Sequence, residues 1–524
     1  MKLMDAYGDK AWGAIRGLDR IRLRGTFRWL ASERGMATFL SSAGILLKDF
    51  GNWAIKKTQQ VRAACEDRAR ELGIPFIYLR SGAVDKEAMA RKVAADNGVK
   101  SGSVCMFSVV ERCLSPTVVG NRATKCLELR FRPRQGVWIY HYWDHPQLGF
   151  GHVRLQSWLP MNVNICLNGR HWLERQLGQS RIAYAKDGNC FTWIADCRAA
   201  QELMNQQLHT DWPLLLDGLV RETCPALGTV LAPMDLHSYW SAEETEWATD
   251  LMFRSCSDLE RLYPSLLRHA MLISDSPSVL RFLGNRQVTT SGHPRGRFPA
   301  EVLSDHRRRY EGVRIKHWIN RNSVKMYNKS GSVLRVETTI NNTRDFKVFR
   351  RPGDDPACLP SWQKLRKGVS DLHRRCQVSD AANERYAAAV VDTATSSQTL
   401  QDVVSKVSRP VTSPGRRSRA LHPLAPDDHL LLTFLAKGEL AVNGFRNRNL
   451  RAFLFPHIHP DVLEKCRRAA ASTTRKIRLL RAHGLIHKLP GTNRYVVTDA
   501  GRLLATATVA AAHATIQKLE EIAA

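Results

Sequence analysis

The sequence lacks a long apolar run. No uninterrupted apolar stretch approaches the ~20 residues that are needed to span a bilayer. The first residues, MKLMDAYGDKAWGAIRGLDRIRLRG, carry charges throughout and have no apolar centre of the kind that a signal peptide requires. We therefore expect a cytoplasmic protein with no membrane partner.

Closely spaced cysteine pairs are also missing. The 12 cysteines are scattered from Cys65 to Cys466, and none lies in a C-x-x-C motif. Zinc ribbons and small disulfide frameworks depend on such spacing, so neither is indicated. We expect reduced and mostly buried thiols, and the sequence identifies no cofactor with certainty.

Acidic residues are scarce relative to basic ones. The chain has 49 Asp and Glu against 78 Lys and Arg, which gives a net charge of +29. Such an excess favours a polyanionic partner, because neutralising phosphates releases their counterions. We expect a nucleic-acid partner, with DNA favoured and RNA possible, while the oligomeric state stays unknown. With 524 residues and 44% hydrophobic composition, the chain can form several cores.

Hydrophobic periodicity predicts an α+β protein, in which a mixed α/β body with a largely antiparallel sheet precedes a C-terminal winged helix. Helices are predicted over 16–72 and, largely, over 196–285, and strands are predicted from 103 and again around 312–342. The predicted domains are a mainly helical region at 1–100, the mixed body at 101–393, a Ser-, Pro- and Arg-rich linker at 394–425, and the winged-helix domain at 426–524.

The last hundred residues read as helix, helix, long helix, hairpin and helix. At 100° per residue the long helix divides into an apolar stripe and a polar face. The stripe contains Cys466, Ala470, Thr473, Ile477, Leu480 and Gly484. The polar face contains Arg468, Ser472 and Arg475, flanked by Arg467, Lys476 and Arg478, with Arg494 near the hairpin tip. This division suits a helix that buries one side and lays the other in a major groove, with the flanking cations on phosphates.

The run LLRAHGLI, a turn, YVVT and a following glycine resemble winged helix-turn-helix DNA-binding domains, the group that includes the MarR-type regulators. The resemblance covers about 426–524. It implies DNA contact by the face of Arg468, Ser472 and Arg475, with the hairpin as the wing. The long dimerisation helices of MarR-type regulators are missing, so the resemblance implies neither effector binding nor autonomous dimerisation. Use of the same fold for protein contacts stays open.

A second basic region spans 307–351, with 13 Lys or Arg against three acids. Strand alternation places one set of polar residues away from the apolar core face. That set contains Arg314, Lys316, Trp318, Lys325, Tyr327, Lys329, Arg335 and Glu337. We expect this face to form an exposed basic sheet that contacts DNA or RNA.

Tyr327 and Glu337 are candidate catalytic residues within this face. Lys and Arg can stabilise a phenolate and a crowded phosphate, and Glu337 could hold Mg²⁺ or Mn²⁺. The arrangement Y-x-K, turn, L-R-x-E resembles replication initiators of filamentous phages and related rolling-circle replication proteins, which implies a mobile-element enzyme that nicks or joins DNA strands. The two-histidine metal motif of those proteins is missing. In the alternative interpretation Glu337 makes cross-strand ion pairs and Tyr327 packs or stacks.

The segment VWIYHYWDHPQLGFGHVRLQSW is rich in aromatic and imidazole groups. Alternation places Trp138, Tyr140 and Tyr142 on one strand face, where they could stack bases or simply pack in a sheet. A metal site is a further possibility, formed by His141, Asp144, His145 and His152. Residues of about 26–390 also resemble a family of uncharacterised bacterial proteins through LLKDF, HVRLQSW, NCFTWI and LRVETTINN, which implies no activity.

Overall fold

Long strands and helices both form in this chain, which confirms the predicted α+β class. The structure is a computed structural model, and it describes residues 2–231, 237–274, 276–284, 302–354, 358–391, 399–413, 416–437, 440, 444–458 and 463–515. None of the helices in these ranges combines the length and the apolar composition that a membrane-spanning segment requires.

The helices are α1 (Lys2–Tyr7), α2 (Glu33–Ser42), α3 (Phe50–Glu71), α4 (Lys86–Asp96), α5 (Gly169–Gln179), α6 (Cys197–Asn205), α7 (Trp212–Thr223), α8 (Leu227–Val230), α9 (Cys256–Ile273), α10 (Ser276–Phe282), α11 (Leu372–Val391), α12 (Leu400–Val407), α13 (Pro426–Leu435), α14 (Asn447–Leu454), α15 (Leu463–Ala482) and α16 (Asp499–Ala512). The strands are β1 (Ala11–Phe27), β2 (Phe76–Leu79), β3 (Gly102–Asn121), β4 (Cys126–His145), β5 (Gly149–Gln156), β6 (Val163–Asn168), β7 (Tyr184–Asp187), β8 (Cys190–Ile194), β9 (Ser238–Phe253), β10 (Leu303–Arg309), β11 (Gly312–Ile319), β12 (Asn322–Lys329), β13 (Val333–Ile340), β14 (Lys347–Arg350), β15 (Ser361–Lys364), β16 (Val411–Ser413), β17 (Arg416–Ser418), β18 (Ile486–Lys488) and β19 (Tyr495–Val497).

The chain divides into two compact units that cut across the domain boundaries predicted from the sequence. Unit 1 contains Met1–Ala14, Thr249–Thr338 and Val378–Ala524. Unit 2 contains Ile15–Ala248 and Thr339–Gln377.

Unit 2 is built on strands in the order β1-β6-β5-β4-β3-β2. The pairs within it are antiparallel except β2 with β3, which is parallel. Successive residues of β4 point to opposite faces, so Ile139 packs in the larger apolar core and Tyr140 in the smaller one. Helices α2, α3 and α7 supply the larger core, and α4 covers the smaller one through Ala90.

Two predicted helical stretches are strands. β1 occupies Ala11–Phe27, where Ile21 and Leu23 are buried and Arg20 and Arg22 are exposed, a period of two rather than 3.6. β9 occupies Ser238–Phe253, although its Glu- and Ala-rich sequence favours a helix. β9 is mostly buried, so tertiary packing outweighs the local helix propensity.

Unit 1 contains β10, β11 and β12, the residues of β13 up to Thr338 and the residues of β9 from Thr249, and these strands follow one another in the order β10-β11-β12-β13-β9. The turn between β12 and β13 holds Ser330 and Gly331 at φ 52° and 70°, and it lies between Lys329 and Leu334, where the arrangement Y-x-K, turn, L-R-x-E places a turn. Helix α9 contacts these strands. The Tyr263 hydroxyl of α9 donates a hydrogen bond to the Val313 carbonyl of β11 at 2.7 Å.

The last part of unit 1, residues 399–515, forms a module with its own apolar core, hereafter the C-terminal module. Its core combines Leu431 of α13, Leu450 of α14, Leu480 of α15 and Leu504 of α16. Val403 and Val407 of α12 pack in the same core. The linker predicted at 394–425 is therefore wrong in part, because the apolar spacing of α12 joins it to the module.

Candidate nucleic-acid interface

Helix α15 buries one side in the C-terminal module. Ala469, Thr473, Ile477 and Leu480 are buried along it. The sequence predicted three of these four positions, because an apolar stripe repeats every three to four residues. Cys466 and Ala470, which belong to the predicted stripe, are only half-buried.

The opposite side of α15 is exposed and basic. Arg467, Arg468, Arg475 and Arg478 are all exposed along 20 residues of helix. Arg468 forms an ion pair with Glu464, and the side chains of the two residues are 79% and 75% exposed. Such a surface pair contributes little and leaves the guanidinium accessible. The predicted arginine face therefore exists as a surface.

Two predicted members of this face are less exposed to solvent than the arginines. Ser472 and Lys476 are half-buried. Burial raises the pKa of Asp428, but hydrogen bonds from Arg419 and from the His422 amide, with the charges of Arg419 and Lys476, hold it below its usual value. The charge of Lys476 thus acts on a carboxylate of its own module, and the exposed cations of this face are Arg467, Arg468, Arg475 and Arg478.

Helix α14 and the β18–β19 hairpin position α15. Asn447, the first residue of α14, donates through Nδ2 to Thr474 Oγ1 of α15 at 3.0 Å. The backbones of Phe445 and Tyr495 exchange two hydrogen bonds of 2.7 Å, which ties the entry to α14 to the hairpin. Arg494, the residue directly before β19 in this hairpin, is half-buried.

The predicted basic sheet in unit 1 is largely internal. Arg314, Lys329 and Arg335 have only 8%, 4% and 0% of their surface exposed. Arg314 binds both oxygens of Asp305, at 2.8 and 3.1 Å, and the Lys329 ammonium lies 3.8 Å from Glu311. The expected exposure is wrong for these residues, because alternation identifies a shared strand face without revealing whether that face is covered.

Lys316 and Trp318 on β11 are half-buried rather than buried. The Lys316 ammonium lies 4.6 Å from the centre of the Trp318 ring. A cation over an aromatic face is an ordinary stabilising contact. These two residues are the more accessible part of the predicted basic sheet.

The candidate catalytic pair is brought together. The Tyr327 hydroxyl donates to Glu337 Oε2 at 3.2 Å, and the Lys325 ammonium lies 2.5 Å from Glu337 Oε1. The ammonium groups of Lys325 and Lys329 lie 5.7 and 5.9 Å from the centre of the Tyr327 ring. Tyr327 is 7% exposed and Glu337 is fully buried. The predicted cross-strand ion pair of Glu337 with Lys325 is therefore present.

The four candidate metal ligands in unit 2 do not converge among the described residues. His141 lies between the hydroxyls of Thr223 and Ser103, at 3.1 and 3.0 Å, while His152 packs 4.8 Å from the Tyr142 ring. Asp144 pairs with Arg175. His145 Nδ1 accepts backbone hydrogen bonds from residues 147 and 148.

The predicted aromatic face of β4 is also covered. Trp138, Tyr140 and Tyr142 share a face, as predicted, but are 5%, 7% and 2% exposed. They pack in the core that includes Ala90 of α4. Base stacking on this face is therefore not available in this structure.

Sequence reasoning missed a group of exposed arginines on β4, at Arg130, Arg132 and Arg134. The signal was present in the run RFRPR, where arginine alternates with other residues at strand period. β4 runs without a break through Pro133 to His145, so Arg134 continues the row of Arg130 and Arg132.

The chain matches no protein-family model, no curated protein and no solved structure.

Proposed function

We propose that the protein binds nucleic acid, and that residues 426–515 act as a winged helix that lays α15 in the major groove of duplex DNA. The supporting observation is the division of α15 into a buried apolar side and an exposed side with four arginines. A major groove admits an α-helix, and arginine pairs with guanine edges as well as with phosphates. The net charge of +29 supports a polyanionic partner independently.

In this proposal the arginines make different contacts according to their position on α15. Arg468 and Arg475 lie near the centre of the exposed side and would reach base edges. Arg467 and Arg478 lie on its flank and would bind phosphates, which orient the helix. The β18–β19 hairpin with Arg494 would act as the wing beside the groove.

The test is duplex binding by the full chain carrying Arg467→Gln, Arg475→Gln and Arg478→Gln, measured by fluorescence anisotropy at several salt concentrations. Losing the phosphate contacts of Arg467 and Arg478 should flatten the plot of log affinity against log salt by about 1.8, at about 0.9 per phosphate contact, and losing the base-edge contact of Arg475 should weaken affinity further. Arg261→Gln, Arg268→Gln and Lys347→Gln, at exposed positions elsewhere, form the charge-matched control. Equal binding by the two variants contradicts the proposal, and equal effects on duplex RNA favour general RNA binding instead.

A second candidate function is DNA strand nicking or joining, favoured by the hydrogen bond from Tyr327 to Glu337 between two lysines. The phenolic oxygen would form a bond to phosphorus, a deoxyribose oxygen would leave, and the phenol proton would pass to Glu337. Lys325 and Lys329 would stabilise the negative charge. A divalent metal at Glu337 would have to displace Lys325, so the candidate depends on the tyrosine and the lysines.

The test of this second candidate is incubation of the protein with supercoiled and single-stranded DNA in the presence of Mg²⁺ or Mn²⁺. A covalent tyrosyl–DNA adduct that disappears in Tyr327→Phe supports it. Intact DNA and no adduct would leave the duplex-binding proposal standing and remove this one.

We place the protein in the cytoplasm in this proposal. All 12 cysteines are free thiols, and several, such as Cys65 and Cys224, are buried. Free thiols suit a reducing compartment.

A further inference from the structure

Strands β3 and β4 extend as a two-stranded ribbon in unit 2. They pair with each other from residues 102 and 144 to residues 121 and 126. Strand β5 pairs with β4 over 138–145, and β2 pairs with β3 over 106–109. The part between them and the turn, residues 111–135, is hereafter the distal ribbon.

The distal ribbon is strongly basic. It contains Glu111 and Glu128 against six cations, which are Arg112, Arg122, Lys125, Arg130, Arg132 and Arg134. All six cations are exposed. The sign and density of charge suit a polyanion rather than a protein surface of mixed charge.

Three of the arginines form a regular row. Arg130, Arg132 and Arg134 alternate along β4, so they share one face at a spacing of about 6.8 Å, twice the strand rise. Their directly opposed partners on β3 are the small residues Thr117, Ser115 and Cys113, and the three arginines are exposed.

Local contacts orient the ends of this row. The Arg134 guanidinium lies 4.8 Å from the centre of the Trp158 ring. Arg130 contacts Glu128 at 2.8 Å and Glu33 at 3.3 Å. Arg132, between them, has no ion pair with any residue that the structure describes. The row therefore has fixed ends and a free central cation.

We propose that the distal ribbon is a second duplex-DNA contact, which enters the major groove with Arg130, Arg132 and Arg134 while Arg122 and Lys125 at the turn bind phosphates. The choice of DNA rests on the proposed function, but the surface belongs to unit 2 and is separate from α15. A two-stranded ribbon fits a groove about 12 Å wide. The arginine spacing equals two steps of the ~3.4 Å rise per phosphate on one DNA strand.

Duplex DNA fits this surface better than single strands. Binding of single strands relies on exposed aromatic side chains for base stacking. The aromatic residues that continue the same face of β4, Trp138, Tyr140 and Tyr142, are buried. What the ribbon presents to a partner is a row of cations, which suits phosphates and base edges in a groove.

The test uses the full chain carrying Arg122→Gln, Lys125→Gln and Arg132→Gln, three exposed positions whose replacement breaks no ion pair in the described ranges. Losing the phosphate contacts of Arg122 and Lys125 should flatten the salt dependence of duplex affinity by about 1.8, and the three losses together should weaken binding by at least about tenfold at 0.1 M salt. The charge-matched control carries Lys48→Gln, Arg70→Gln and Arg198→Gln, at exposed helical or turn positions of unit 2. Binding by the ribbon variant at the level of this control overturns the proposal.

Comparison with the α15 variant separates the two proposals. The α15 variant is the chain with Arg467, Arg475 and Arg478 replaced by Gln. Weak duplex binding by the ribbon variant together with normal binding by the α15 variant would support the ribbon contact and reject the winged-helix contact. The opposite pattern would reject the ribbon alone. Equal loss on duplex RNA of the same sequence would overturn insertion into the groove, because the deep and narrow major groove of A-form RNA excludes a ribbon.

Two exposed cysteines give a direct readout in the unaltered protein. Cys126 lies at the ribbon turn, and Cys256 lies in unit 1 at the start of α9. Adding duplex DNA should slow alkylation of Cys126 and leave that of Cys256 unchanged. Equal rates at Cys126 with and without saturating duplex would contradict the proposed contact.

Discussion

Arg335 of β13 and Asp250 of β9 form a fully buried ion pair within unit 1. Arg335 Nε lies 2.5 Å from Asp250 Oδ1, and Arg335 Nη2 lies 2.8 Å from Oδ2. Neither side chain is exposed to solvent. This two-point geometry is typical of strong arginine–carboxylate pairs. The sequence predicted Arg335 as a nucleic-acid contact, whereas the structure gives it the task of joining two adjacent strands.

We expect Arg335→Met to destabilise the protein strongly. It leaves the Asp250 charge buried without this guanidinium, a loss that typically costs roughly 3–5 kcal/mol. The measurement is the urea midpoint of unfolding followed by tryptophan fluorescence. Duplex affinity of the folded fraction should not change, because Arg335 has no exposed surface.

The double variant Arg335→Met with Asp250→Leu is the control for this prediction. Replacing both charges with apolar groups of similar size is often neutral, so much of the lost stability should return. A single variant as stable as the wild type would show that the pair contributes little. A double variant less stable than the single one would mean that the pair is not the source of the effect.

Acid should destabilise unit 2 through His141, which is buried, and His152, which is half-buried. Burial lowers the pKa of both His141 and His152 to about 4, with the charge of Arg68 adding to the effect at His141. In the unfolded chain a histidine titrates near 6.5, so protons bind the unfolded state more readily between about pH 6.5 and 4. Stability is therefore complete above pH 6.5 and falls as the pH drops through this window.

Each of these histidines should contribute on the order of 2 kcal/mol of that loss by pH 5. We expect His152→Phe, which can pack against Tyr142, to reduce the difference between the urea midpoints at pH 8 and pH 5. His513→Phe, at an exposed position, should leave this difference unchanged. A His152→Phe protein with the same acid sensitivity as the wild type would contradict the assignment.

Sequence periodicity predicted local features well, but it did not predict which faces of the strands are covered by other parts of the protein. The buried positions Thr473, Ile477 and Leu480 follow from the helical period alone. The Ser330-Gly331 turn follows from a local backbone requirement for positive φ. Both depend on neighbours within a few residues, which is the information that a single sequence carries most directly.

The burial of Arg335 depends instead on a residue 85 positions away in the chain. Strand alternation could place Arg335 and Glu337 on one face, but no local pattern states that this face is covered. The same reason explains why the residues of β9 were wrongly predicted to form a helix. They form a strand because the surrounding protein buries them. Predictions of function from strand charge therefore fail where the charged face lies inside the protein.

Gly444 provides a sharp test of the C-terminal module. Its φ is 58°, and a Cβ at this position would lie 2.1 Å from the Tyr495 carbonyl oxygen. The next residue, Phe445, makes the backbone hydrogen bonds to Tyr495 that tie the entry of α14 to the hairpin. Because the colliding atom belongs to the backbone, Gly444→Ala must displace one of these segments.

Gly491 in the turn of the hairpin is the matched control. Its φ is 68°, but a Cβ there meets no atom within 4 Å. Gly491→Ala should cost only the left-handed backbone strain of about 1–2 kcal/mol, whereas Gly444→Ala should cost more and also loosen the packing that positions α15. We therefore expect Gly444→Ala, and not Gly491→Ala, to make the module sensitive to limited proteolysis and to weaken duplex binding. Equal sensitivity of the two variants to proteolysis would mean that the close approach of Gly444 to Tyr495 does not determine the position of α15. Duplex binding that survives proteolytic loss of the C-terminal module would place the DNA contact on the distal ribbon instead.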